Sequence, residues 1–423
     1  MTEDFIHYLW QFQQFDATAL QTETGDSVQV ISPGKAHQDA GPDFQQARIR
    51  ISTLEWVGTV EIHTRSSDWF RHTHETDAAY ENVILHVVWI HDAPVYRTDG
   101  TEVPTLCLQN RTDPAWLDRY QILVHSQEAL ACSSQFLTAF ELHKRSMLDR
   151  TLIQRLSAKA EKVRQLWEQS QNNWEETTWQ ILARSLGSPL NAEPLEWLAR
   201  TVPLRLLHKH RNQPFQVEAL LFGCSGLIPA TPQDAYTLQL QREAYFLLKK
   251  YELQPLPTQV WKFLRLRPAS FPTVRIAQLV PLVTQPLSLF SFFINQEDVT
   301  TIMKTVQVSP SEYWQQHYTF HKPTEHGVTQ LGQETAQRIL INAVVPLLVA
   351  YGHHKDEARY TDRAIERLEQ LPAEQHAITK TWKSYGLKCQ NAADSQGALE
   401  WMQTYCQPRK CLSCSVGLGL LKR

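Results

Sequence analysis

Residues 39–63 read DAGPDFQQARIRISTLEWVGTVEIH, and two alternations in this stretch decide the fold. Ala47, Ile49 and Ile51 alternate with Arg48, Arg50 and Ser52, and Val60 and Ile62 alternate with Thr59, Glu61 and His63. A period of two belongs to half-buried strands, so the segment predicts two strands joined by a tight connection. Because successive strand side chains face opposite ways, Glu61 and His63 share one side and Val60 and Ile62 the other. Asp43 stands where the first strand begins. In a hairpin, Asp43 and Glu61 then approach each other at one end, and such a carboxylate pair suits Mg²⁺ or Mn²⁺ through hard oxygen ligands.

Upstream, Phe5, Tyr8, Leu9 and Phe12 recur at helical spacing, predicting a helix from Glu3 to about Phe15. Ser27–Ile31 alternates as a short strand that Pro33-Gly34 turns. Downstream, a polar helix-competent stretch through Asp77 and Tyr80 leads to VILHVVWI, residues 83–90, a continuous apolar run expected of a strand buried on both faces. The order is αβββαβ, an α+β head with a mixed sheet. From about residue 113 the periodicity turns helical. Leu148, Leu152 and Leu156 form one helix face and Arg155, Lys159 and Lys162 another; further helices are expected over Leu195–Leu207, Ala235–Tyr251 and Val260–Leu266. FHKPTEHGVTQLG, residues 320–332, has loop composition, and a last helical block starts at Thr335. The expected domains are therefore 1–112, the head; 113–332, a helical domain; and 333–423, a C-terminal helical segment.

The 423 residues are 42% apolar with only 15 Gly, enough for two or three ordinary domains. MTEDFIHYLWQF carries acids where a signal peptide needs basic residues, and the most apolar stretch, INAVVPLLVAY around Pro346, reads as too short to span a membrane. The expected location is the cytoplasm. Seven cysteines, an odd number, argue against a disulfide framework. The net charge of −3 conceals an asymmetry, since residues 1–110 hold 6 Lys and Arg against 16 Asp and Glu. An acidic head can concentrate metal ions, and the mildly basic remainder can face a polyanion.

SSDWFRHTHETDAAY, residues 66–80, adds His72 and His74, and five histidines (63, 72, 74, 86 and 91) fall within 29 residues. Imidazoles at this density can relay protons or bind a metal. His86, inside the apolar strand, reads equally as a satisfied core residue. The His-x-His spacing lacks the Asp-His continuation of metallo-β-lactamase-like hydrolases.

Pro42-Asp43 and Glu61-Ile62-His63, with this order of elements, resemble the PD-(D/E)XK nuclease superfamily. That resemblance implies a restriction-endonuclease-like sheet in which Asp43 and Glu61 bind the metal, with the Ile62 carbonyl as a further ligand. His63 stands where that superfamily usually has lysine, so a neutral imidazole replaces a permanent cation. Over almost the full length, HYLWQFQQFD, DAGPDFQQARIRI, VEIHTRSSDW, VILHVVW, LRLRPASFPTVRIAQL and YCQPRKCLSC also resemble a family of bacterial proteins known only as a domain of unknown function, which implies a head and a helical body without an activity.

In the body, WKFLRLRPASFPTVRIAQL, residues 261–279, sets Lys262, Arg265, Arg267 and Arg275 among Trp261, Phe263 and Phe271. Basic residues interleaved with aromatics can hold DNA or RNA, while Pro268 and Pro272 equally mark a turn between packed helices. LFGCSGL, residues 221–227, lacks the Gly-x-Ser-x-Gly pattern of a nucleophile elbow; Gly223 and Gly226 are read as helix-terminating glycines. The tail holds Cys406-x4-Cys411-x2-Cys414, with Cys389 upstream, a thiolate set for zinc or an iron–sulfur cluster or else a group of buried thiols.

The expected activity is that of a Mg²⁺- or Mn²⁺-dependent, nuclease-like phosphodiesterase. Asp43 and Glu61 hold the metal, and His63 with His72 or His74 orients water or protons. One alternative is a nuclease-fold binding or scaffold protein without turnover. Another is a His-rich zinc hydrolase, which requires His72 and His74 to converge on the same metal as Glu61.

Overall fold

The computed structural model describes residues 1–37, 40–325, 327 and 330–422. The hairpin is present: β3 (Phe44–Ile51) pairs antiparallel with β4 (Leu54–Arg65), with Ile49 opposite Trp56 and Ile51 opposite Leu54. Ahead of it lie α1 (Glu3–Gln11), β1 (Val28–Ser32) and the two-residue β2 (Lys35–Ala36). After it come α2 (Asp68–Arg71), two short 3-10 turns, β5 (Val83–Ile90) and β6 (Thr105–Cys107). The sheet runs β1-β3-β4-β5-β6, with β2 added to β3. β3 is antiparallel to β1 and β4, whereas β4, β5 and β6 are mutually parallel, with Glu61 beside His86 and His63 beside Val88. A head with a mixed sheet ahead of a helical body is thus what the alternations imply. β5 is buried through seven of its eight residues, as an apolar run between parallel neighbours should be.

Contacts divide the chain into two units, one of Met1–Met147 with Trp401–Arg423 and the other of Leu148–Glu400. The expected borders at 112 and 332 fall inside these units. In the first, the sheet is joined by α3 (Pro114–His125), α4 (Ser133–Phe136) and the start of α5 (Glu141–Gln169). The second is built of helices around one apolar core that includes Leu152, Leu156, Trp179 and Leu220.

Several helical expectations are corrected. Residues 260–266 form no helix: beyond a 3-10 turn at Thr258–Val260, the Asn191 side chain bonds both the N–H and the carbonyl of Lys262, and Arg265 takes a positive φ of 66°. These bonds replace helical ones. Gly226 ends its helix at φ 71°, but Gly223 lies inside it, where a Cβ would meet Leu248 Cδ1 at 2.8 Å. Gly223 therefore permits close helix packing rather than termination. The apolar stretch around Pro346 belongs to a longer run, Gln333–Lys355, of 23 residues, which has the length and apolarity to cross a membrane. Most of its apolar window is packed inside the body.

Candidate metal centre in the head

Glu61 and His63 project from the same side of β4, and the chain beyond α2 turns back to bring His72 and His74 to them. Thr73 takes the left-handed conformation between these two histidines (φ 59°), which lets both rings face one point. Glu61 Oε1 lies 3.3 Å from His74 Nε2 and 3.6 Å from His63 Nε2, and His63 Nε2 lies 3.1 Å from His72 Nδ1. Ligand atoms of His63, His72 and His74 all fall within 4.8 Å of one another. A tetrahedral ion with bonds of about 2.1 Å would separate its ligand atoms by roughly 3.4 Å, so this donor set fits a single borderline ion without rearranging the backbone.

The side chains are buried unevenly. Glu61, His63 and His74 are 5%, 1% and 8% exposed, whereas His72 reaches solvent and forms the mouth. Burial pushes Glu61 up from the usual carboxylate range, with the His74 hydrogen bond opposing and the Asp43 charge reinforcing that shift. Burial, then the neighbouring His74 and His72, holds His63 down to about 3. His63 is therefore neutral at ordinary pH, with one ring lone pair to offer. Its Nδ1 lies 2.9 Å from Nε2 of His86, a fully buried ring whose own pKa is depressed by burial and by His63. Tyr80 stacks on His74 with ring centroids 3.7 Å apart, and its hydroxyl is pushed up to about 12 by burial, then by Glu61 and Asp43.

Asp43 sits one residue before β3 and meets Glu61 through the backbone: the Asp43 N–H donates to Glu61 Oε2 at 3.2 Å, and the Ile62 N–H donates to Asp43 Oδ2 at 2.9 Å. The same Oδ2 lies 3.3 Å from Nε2 of His7, on α1. Burial alone would lower the His7 pKa, but the Asp43 hydrogen bond and charge outweigh it and raise it. His7 and Tyr80 escaped the sequence reading. His7 is one imidazole on an aromatic helix, and only the docking of α1 on β4 gives it a role.

The other candidates are placed as follows. Arg275 is 5% exposed and donates to Gln278, Ser270 and Thr335, with burial lowering its pKa to about 10; it is an internal tie and is withdrawn from any contact with a polyanion. Trp261 is likewise buried, its indole N–H donating to the Ser225 carbonyl, so it offers no face for a base. Lys262, Arg265 and Arg267 are exposed. The helix face of Arg155 and Lys159 is also internal: Arg155 pairs with Glu400, and the Lys159 ammonium bonds Asn342 and Gln396. Cys406, Cys411 and Cys414 belong to the head unit, where Cys132 joins them. Cys389 belongs to the other unit, beside Asp394.

The chain belongs to the DUF2851 family, described as a protein of unknown function, whose model matches residues 3–377. No curated protein and no solved structure matches the chain.

Proposed function

We propose that the head is a divalent-metal-dependent, nuclease-like phosphodiesterase whose metal is held by Glu61, His63 and His74, with His72 at the solvent mouth. The observation that carries this reading is the convergence of Glu61 Oε1 with His74 and His63 Nε2 at 3.3 and 3.6 Å. Two imidazoles with one carboxylate favour Mn²⁺ or Zn²⁺ over Mg²⁺, which prefers oxygen ligands and keeps its waters. A bound metal would acidify a water and offset charge developing on a phosphate.

The chain's own groups supply the rest. When the His63 Nδ1–H donates to His86 Nε2, His63 Nε2 keeps its lone pair facing Glu61, the tautomer a ligand needs. His72, exposed beside the ligands, can take the proton from the attacking water. His63 is neutral and does not replace the lysine of the PD-(D/E)XK pattern. His7, whose pKa Asp43 raises, brings a positive charge to the same end of the sheet when it is protonated. The phosphodiester substrate rests on the resemblance to the PD-(D/E)XK pattern, with Asp43 just ahead of β3 and Glu61 on the neighbouring β4 of a mixed sheet.

The engagement of Asp43 Oδ2 by Ile62 N–H and His7 favours a second reading, a nuclease-fold binding protein without turnover. Cleavage of labelled DNA and RNA with Mn²⁺ or Zn²⁺ separates the two. Activity lost in Glu61→Gln and His74→Ala supports the enzyme. Binding of nucleic acid without cleavage supports the second reading. Metal-dependent hydrolysis of simple esters with no action on nucleic acid would support a zinc hydrolase instead.

A further inference from the structure

Four thiols of the head unit line one small, partly open space of about 20 Å³. Cys132 lies immediately before α4, and Cys406, Cys411 and Cys414 come from the returning C-terminal segment. A cavity needs roughly 10–15 Å³ to admit one water-sized guest, so this one has room for a single ion as it stands, and a cluster would have to spread its walls. Its remaining walls, including Leu130 and Trp401, are mainly apolar and poorly suited to hold water.

The backbone is shaped around the sulfurs. Cys406 closes a π-helical turn, Met402–Cys406, a distortion that costs regular hydrogen bonding and is frequent at functional sites. At Gly417 a Cβ would lie 2.3 Å from the Cys411 carbonyl oxygen, so only glycine lets the last helix, Ser415–Leu421, come this close. Arg409, at φ 60°, ties the segment to the carbonyls of Ser126 and Glu128 and sets a positive charge beside the thiols. Thiolates lining one space would repel one another, and a cation among them would offset that repulsion.

We propose that Cys132, Cys406, Cys411 and Cys414 form a four-thiolate site for a thiophilic metal centre, a zinc ion or an iron–sulfur cluster, that staples the C-terminal segment to the head. Binding replaces the S–H protons by metal–sulfur bonds and releases those protons to solvent. The tail spacing names three of the ligands; the fourth is Cys132 rather than Cys389, because the chain folds back on its own N-terminal unit. The inference is independent of the chemistry at Glu61.

The test is elemental and acid-labile sulfide analysis of the full chain, purified anaerobically and reconstituted with Zn²⁺ or with iron and sulfide. Stoichiometric zinc identifies a single ion, and iron with sulfide identifies a cluster. In a Glu61→Gln background, which removes the other proposed metal site, either is expected to disappear on adding Cys132→Ser or Cys411→Ser and to persist on adding Cys389→Ser. A native chain that takes up neither, or metal lost in Cys389→Ser but kept in Cys132→Ser, would overturn the proposal. In case the serine variants fold poorly, alkylation of the native chain is mapped before and after the metal is stripped by a chelator or, for a cluster, by oxidation. The four thiols should become reactive together while Cys389 is unaffected; no change on stripping would also overturn it.

Discussion

At the scale of single residues, the head turns on Glu61, whose pKa is raised by burial, with the His74 hydrogen bond and the Asp43 N–H opposing that shift. His86 stands outside the donor cluster, and by accepting from His63 Nδ1–H, 2.9 Å away, it would fix the His63 tautomer. Replacing it by Phe is expected to weaken Mn²⁺ binding by about 10–100-fold with the sheet intact, measured by calorimetry, as loss of an outer hydrogen-bond partner usually does. Unchanged affinity would reduce His86 to a packing residue. In the body, Glu218 is 2% exposed and accepts from Ser311 at 2.8 Å, and burial raises its pKa from 4.5 to about 7. Between those values the unfolded chain holds fewer protons than the folded one. The contribution of this carboxyl to stability is therefore fullest below about 4.5, falls by about 1.4 kcal/mol per pH unit as pH rises to about 7, and flattens above. Glu218→Gln should remove this slope and raise the urea midpoint near pH 8 while leaving it little changed near pH 5; parallel pH profiles for the two proteins would exclude the effect. The strand residues of the head were legible because alternation assigns faces. His7 and Cys132 were not, since each meets its partners only through tertiary packing.

At the scale of elements, β4 carries two of the donors and its parallel pairing with β5 fixes their height. That pairing depends on Gly58, where a Cβ would lie 2.4 Å from Ile84 Cγ2 and 2.7 Å from the Asn82 carbonyl. Gly58→Val is expected to destabilise the head by roughly 1–3 kcal/mol through overpacking and to weaken metal binding with it. Denaturant unfolding checks the first effect, and a variant as stable as the native protein would show that the strands can shift at no cost. The strands β1, β3, β4 and β5 could be read from period and burial, and VILHVVWI from its length. The segment after Val260 could not, because its apolar spacing is helical while Asn191, distant in sequence, supplies the backbone bonds that a helix would need. The same limit applies to Arg275, whose charge suggested a surface and whose hydrogen bonds lie inside the body.

At the scale of the whole molecule, the head unit is discontinuous in sequence, which composition and periodicity do not reveal. Trp401, Tyr405, Val416, Leu420 and Leu421 are all buried in it. Burial of such side chains contributes about 1.5–3 kcal/mol each, which together rivals the 5–15 kcal/mol net stability of an ordinary domain. A chain ending at Glu400 should therefore lose the cooperative unfolding of the head while residues 148–400 keep a transition of their own. Calorimetry that still shows a native-like head transition would contradict this division. The most direct test of the central claim is calorimetric titration of the full metal-depleted chain with Mn²⁺, an ion that thiolates do not select. The account predicts one class of Mn²⁺ site, retained in Cys132→Ser and abolished in Glu61→Gln and His74→Ala. No Mn²⁺ binding, or binding indifferent to Glu61 and His74, would contradict it.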